Sequence, residues 1–187
     1  MTELNHKLVF GRECGECSVC CAALTINTSE LKKLPDVLCP YCVQPAGCSI
    51  YDSRPSICKT WYCGWRQSDR LDDAWRPDRS GVLVEFVRDG LPWNYRRKTG
   101  VKLSIVGHPQ VISWELLAGY AAGLIEVGVP VFLSAAGRFG HASGRAFLND
   151  RMMGAVLSRD VSRVRRELIN ALEACMTHQG EQISFEN

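Results

Sequence analysis

Nine of the ten cysteines of this 187-residue chain lie between Cys14 and Cys63, and four of them fall in one short run, Cys14-Gly-Glu-Cys17-Ser-Val-Cys20-Cys21. Thiolates are the soft ligands that zinc, copper(I) and iron–sulfur clusters select, and a two-residue gap lets two sulfurs turn back onto one ion. The run therefore points to metal. Cys39-Pro-Tyr-Cys42 and Cys48, Cys58 and Cys63 follow it. Together these thiols exceed the four that a tetrahedral zinc uses, which leaves three arrangements open: two ions, one four-thiol site beside buried thiols, or a cluster. The adjacent pair Cys20 and Cys21 bears on that choice. Neighbouring side chains diverge, which favours two metals, or one ligand and one core thiol. Arg54 and nearby backbone N–H groups could offset the charge of several thiolates.

Composition sets the frame. A chain of this length buries a core without cross-links, so the cysteines are not needed as staples. The formal charge of +2 and pI near 8 argue against nucleic acid and against an anionic membrane as partners, since both favour dense Lys/Arg patches. The start, Met1 to Phe10, carries charge and lacks the apolar stretch of a secretory signal, and no apolar run is long enough to span a bilayer. The expectation is a soluble cytoplasmic protein. In a reducing compartment a dense cysteine pattern reads as metal-binding or catalytic, where an exported chain would make disulfides the default.

Several elements must position these thiols. Leu8-Val9-Phe10 reads as an edge strand or as packing under the cluster. Leu24–Thr28 alternates like a short strand, and Thr28-Ser29-Glu30 ahead of Leu31 and Leu34 reads as a capped helix that ends by Pro35. Pro55 suits the first turn of a short helix carrying Cys58, with Asp52 or Ser53 as cap. Tyr51, Trp61, Tyr62 and Trp65 read as a small aromatic core around the cluster. The charged residues 66–80 mark a linker or a surface loop. Beyond them, 81–87 and 100–106 read as a hairpin, 109–126 as an amphipathic helix closed by Gly128, and 129–134 as a third strand. Gly137–Gly144 reads as a turn, and about 149–176 as one long helix with a stripe from Met152 to Cys175. Gly137-Arg-Phe-Gly140 with Gly144-Arg145 could cradle an anion, although turn glycines explain it equally. The four histidines read as solvated loop residues.

The cysteine pattern resembles that of the YkgJ-type cysteine-cluster proteins, described as zinc- or iron-chelating domains. Their C-x-x-C-x-x-C-C run is matched by Cys14, Cys17, Cys20 and Cys21. Their second half, a Cys-Pro pair and a Cys-x-[IV]-Tyr-x-x-Arg-Pro-x-x-Cys block, is matched by Cys39-Pro40 and by Cys48-Ser-Ile-Tyr51-Asp-Ser-Arg54-Pro55-Ser-Ile-Cys58. The resemblance covers about residues 14–65. It implies metal chelation by Cys14, Cys17, Cys20, Cys21, Cys39, Cys48 and Cys58. Cys42 and Cys63 fall outside the pattern. A flagellin lysine N-methylase looks related through the same cluster, where iron–sulfur binding is implied.

These observations lead to an α+β protein in which an N-terminal Cys-rich loop and short-helix metal module (1–65) packs on a small mixed β-sheet with two helices (81–187), as two parts or as one compact domain. The expected function is coordination of zinc, or iron, through clustered thiolates. Zinc is preferred because C-x-x-C pairs without a redox partner site are most often structural. An iron–sulfur or thiol-dependent enzyme and an adaptor with a protein partner are the alternatives. Cys39-Pro-Tyr-Cys42 also has the spacing of a glutaredoxin dithiol, but that reading needs a helix straight after Cys42, where Pro45 and Gly47 stand instead.

Overall fold

The computed structural model describes residues 8–108, 111 and 114–185. Within the Cys-rich part the elements are short: helix α1 (Val19–Ala23), the hairpin of β1 (Ile26–Asn27) and β2 (Lys32–Lys33), the hairpin of β3 (Cys42–Val43) and β4 (Gly47–Cys48), and helices α2 (Ser56–Thr60) and α3 (Gly64–Gln67). Then come α4 (Pro77–Ser80), β5 (Val82–Val87), β6 (Gly100–Ile105), α5 (Glu115–Glu126), β7 (Val131–Ala135), β8 (Gly144–Phe147), α6 (Leu148–Leu157) and α7 (Val161–Thr177). The fold is α+β.

A four-stranded sheet of order β5-β6-β7-β8 forms the larger half. β5 and β6 make the expected antiparallel hairpin, α5 carries the chain to β7 parallel to β6, and β8 returns antiparallel. Period-two alternation divides the strands between two faces. Val82, Val84, Val101, Leu103, Ile105, Val131, Leu133 and Ala146 join the core beneath α5, α6 and α7. The other face carries Leu83, Glu85, Lys102, Ser104, Phe132, Ser134 and Arg145. Gly144 lets β8 approach α7 closely, because a Cβ there would lie 2.0 Å from the Cys175 carbonyl oxygen.

Three helices cover the sheet where two were expected. The C-terminal stripe breaks at Ser158–Asp160: Arg159 adopts a left-handed φ of 55°, and the Asp160 carboxylate accepts from the Arg163 N–H at 2.9 Å, starting a new helix. Met152, Val156, Val164, Leu168, Leu172 and Cys175 are buried, whereas Leu157 and Val161 flank the break and are exposed. The helix expected over 109–126 is present as α5 from Glu115. The part of that expectation falling on 109, 110, 112 and 113 lies outside the described residues, as do residues 1–7.

Residues 66–80 contribute directly to this core. Leu71 is fully buried and Trp75 nearly so. The Trp75 ring lies 4.8 Å from Trp114 and 4.7 Å from Tyr120, centroid to centroid, which fastens the segment to α5. Val9 donates its N–H to the Arg66 carbonyl at 2.9 Å, so residues 8–10 run against α3 and not as a strand, with Phe10 fully exposed.

The helix expected after Thr28 is replaced by the β1–β2 hairpin. Thr28 Oγ1 accepts from the Leu31 N–H at 3.1 Å and its own N–H reaches the Leu31 carbonyl at 3.0 Å, so the hydroxyl that caps helices closes a turn. Leu31 then faces Ile26, Cys39 and Cys42 in a second, small core.

Candidate metal centre

All ten cysteines are free thiols, and eight of the nine clustered ones line a single cavity of about 540 Å³. Its opposite wall is the polar sheet face with Leu83, Glu85, Lys102, Ser104, Ser134 and Arg145. The volume is that of a small-molecule pocket, within roughly 300–1,000 Å³.

Local folding places the thiols in turns. Cys17 donates its N–H to the Cys14 carbonyl, Cys42 to the Cys39 carbonyl, and Cys39 to the Cys21 carbonyl, each at 2.9 Å. Cys42 and Cys48 stand opposite each other in the β3–β4 ladder. Gly47 brings that hairpin against the first turn: its φ is +87°, and a Cβ there would sit 2.7 Å from the Gly15 carbonyl oxygen. Gly64 does the same for α3, where a Cβ would meet Val84 Cγ1 at 2.7 Å, so Cys63 is held directly above β5. Helix α2, which carries Cys58, takes no cap from Asp52 or Ser53. Glu30, in the turn between β1 and β2, accepts the Ser56 N–H at 2.9 Å and caps it from across the module.

Burial and hydrogen bonding divide the thiols. Burial raises Cys17, Cys58 and Cys63 above the ordinary thiol value. Cys20 donates to Cys21, which raises Cys20 and lowers Cys21 to about 6, while Cys42 also donates to Cys21. Against that burial, the backbone N–H of Val19 lowers Cys17, and those of Arg66 and Trp65 lower Cys63. Such backbone N–H donors support a thiolate. Tyr51 donates its hydroxyl to Cys14.

Cations surround the cavity. Lys33 is 3% exposed, and its ammonium donates to the carbonyls of Ala22, Val37 and Leu34 at 2.7, 2.7 and 2.9 Å. Burial lowers its pKa, and the Cys39, Asp36 and Cys21 charges oppose that. Arg54 stacks 3.9 Å over the Tyr51 ring and donates to the carbonyls of Cys58 (3.0 Å) and Tyr51 (2.6 Å). Arg66 is 8% exposed, and its Nε and Nη1 have no partner; the buried Trp65 Nε1 has none either. Both side chains belong to the cavity lining. A buried unpaired guanidinium is costly unless an anion faces it.

The donor chemistry thus fits a thiolate-bound metal: soft ligands, supporting N–H groups and orphaned buried donors that a negatively charged centre would satisfy. The side chains do not yet converge. Among the described residues, no three His, Cys, Asp or Glu groups stand in a geometry that could hold an ion. The small core is also not the aromatic one expected. Trp65 belongs to the large core and Tyr51 is substantially exposed, whereas Ile26, Leu31, Cys39 and Cys42 form the small one.

Sequence reading left out Arg66, Lys33 and the sheet wall. Glu85 Oε2 accepts from Lys102 Nζ at 2.8 Å and from Ser104 Oγ at 2.9 Å, nearly out of water. Arg145 lies 3.5 Å over the Phe132 ring. The signal was present in the strands, where one carboxylate interrupts Val82–Val87 and Lys102 and Ser104 alternate with apolar residues. Its meaning depended on knowing which face the helices leave bare. Among the described residues no helix is long and apolar enough to cross a membrane. Compared with family models, with curated proteins and with solved structures, the chain matches none of them.

Proposed function

We propose that this chain coordinates metal, zinc in the first instance, through its clustered thiolates, as the YkgJ-type cysteine-cluster proteins are described to do. The observation that carries the reading is the Arg66 guanidinium, 8% exposed, whose Nε and Nη1 have no hydrogen-bond partner, on the wall of a cavity lined by Cys14, Cys17, Cys20, Cys21, Cys39, Cys48, Cys58 and Cys63. Neutral thiols give that cation nothing to pair with, whereas four thiolates on a divalent ion carry a net negative charge. The ligands are those implied by the pattern, Cys14, Cys17, Cys20, Cys21, Cys39, Cys48 and Cys58. Holding the Cys-rich part folded is the role that needs the fewest assumptions, since its own core is small.

Elemental analysis of protein purified anaerobically without added metal tests this. Stoichiometric zinc in colourless protein is expected, and replacing Cys17 or Cys58 by Ser should reduce it. Iron with visible absorbance would move the reading to an iron–sulfur centre. Metal-free protein that takes up neither zinc nor iron would overturn it.

A further inference from the structure

We infer that the bare face of the sheet is a binding site for a small amphipathic carboxylate, whose anionic group sits between Lys102 and Arg145 and whose apolar body lies along the cavity. The site is built from side chains of the sheet and is independent of whether the thiols opposite hold a metal.

A sheet face that packs directly on a neighbouring layer is apolar, as the other face of this sheet is beneath α5, α6 and α7. The face turned to the Cys-rich part carries charge instead, and the two do not close on each other. A cavity of about 540 Å³ lies between them, with Leu83, Glu85, Lys102, Ser104, Ser134 and Arg145 on its sheet side. An ion pair buried on such a face stabilises no better than apolar packing of similar volume, so folding alone gives no reason for it.

The strand register brings the charges into one row. Glu85 stands opposite Lys102 across β5 and β6, and Lys102 opposite Phe132 across β6 and β7. Arg145 reaches back from β8 to lie 3.5 Å over the Phe132 ring, and so covers the position next to Lys102, one strand spacing of about 4.8 Å away. The row holds two cations and one carboxylate, and a monoanion balances the excess charge. Glu85, 8% exposed, accepts from Lys102 Nζ at 2.8 Å and from Ser104 Oγ at 2.9 Å, both on Oε2. It thereby orients the ammonium while occupying one of its three donors. Arg145 gives one N–H, on Nη2, to the Gly90 carbonyl at 3.2 Å; among the described residues its other donors are left for a ligand. The serines cannot compete for that role. Ser104 donates to Glu85, and Ser134 to the Gly144 carbonyl at 2.8 Å, so recognition of an anion falls on the two cations. Leu83, Ala136, Ala142 and Ile183 supply apolar lining for the body of the ligand.

Isothermal titration calorimetry of the full chain as purified, with hexanoate as probe and 1-hexanol and inorganic phosphate as comparisons, tests this. Hexanoate should bind saturably at one equivalent and about tenfold more tightly than either comparison. Arg145→Gln should weaken hexanoate about tenfold, the worth of one charge-assisted hydrogen bond; because Arg145 is exposed, its replacement leaves the urea midpoint close to that of the parent. No saturable hexanoate binding by the parent, a result that needs no variant to fold, would overturn the proposal. Hexanol binding as tightly as hexanoate would overturn recognition of the anion, and phosphate binding more tightly would overturn the carboxylate class. Parent-like hexanoate affinity in Arg145→Gln would remove the site from this face. None of these outcomes bears on the metal-binding reading.

Discussion

Arg66 is held in place from several sides: its backbone N–H donates to the Cys63 carbonyl at 3.0 Å, its carbonyl accepts from Val9, and its guanidinium lies 5.6 Å from the Tyr62 ring centroid. Replacement by methionine keeps most of the volume and removes the charge. If a thiolate centre is its counter-ion, Arg66→Met should stabilise chelator-treated protein by about 1–3 kcal/mol, the cost of an unsatisfied buried polar group, while weakening metal binding. Urea midpoints with and without chelator should therefore move in opposite directions, and a shift in the same direction would show that Arg66 has another partner. Cys175 gives a different readout, away from the cavity. Burial raises its thiol above 9.0, and its Sγ donates to the Leu133 carbonyl at 3.5 Å. Because the folded value lies above the unfolded one, the stabilisation is complete below the ordinary thiol value and is lost as pH rises through the raised one. Stability should fall on the alkaline side, and Cys175→Ala, measured by urea unfolding at neutral and alkaline pH, should show a smaller fall than the parent.

Among the elements, the stretch from α3 through α4 has the most consequence for its size. It reads in sequence as charged and breakable, yet Trp65, Leu71 and Trp75 are 5%, 0% and 5% exposed. Trp75 packs on rings from a residue preceding α5 and from α5 itself, so its truncation opens a cavity at a junction of several elements. Trp75→Ala should cost about 3–5 kcal/mol, the usual range for a buried aromatic, seen as a lower urea midpoint of the whole C-terminal half. A cost below about 1 kcal/mol would mean that the segment is a covering and not part of the core. Patterning missed this because each apolar residue there is isolated between charges, and only their convergence on α5 makes them core.

At the scale of the molecule, two cores of unequal size sit side by side. The large one is built from the sheet, α5, α6, α7 and the α3–α4 segment, and the small one consists of Ile26, Leu31, Cys39 and Cys42 with Cys21 and Cys58 against it. A core that small stabilises weakly by itself; if the thiolates hold a metal as proposed, that metal would supply what burial does not. Chelation should then unfold the part up to α2 and leave the rest. Limited proteolysis of chelator-treated protein should give a resistant fragment beginning between Cys58 and Gly64, while metal-loaded protein should resist cleavage throughout the Cys-rich part. Complete digestion after chelation would show that the large core depends on the metal as well.

Much of the site was legible in the sequence as chemistry: thiols at two-residue spacing, a second block with Arg54 and Pro55, and the alternation that gave the β5–β6 hairpin. These are local properties, set by residue type and by separations of a few positions. The meeting of Gly47 with Gly15 and the cap that Glu30 gives to α2 join residues 32 and 26 positions apart. No local spacing encodes them, because they follow from how the loops lie on the bare face of the sheet. The sequence by itself determined that this protein carries a dense cluster of thiols. Only the tertiary structure decided that eight of those thiols line one cavity against the bare face of the sheet, and that a buried guanidinium with two unpaired nitrogens lies on its wall, because both follow from packing between distant segments.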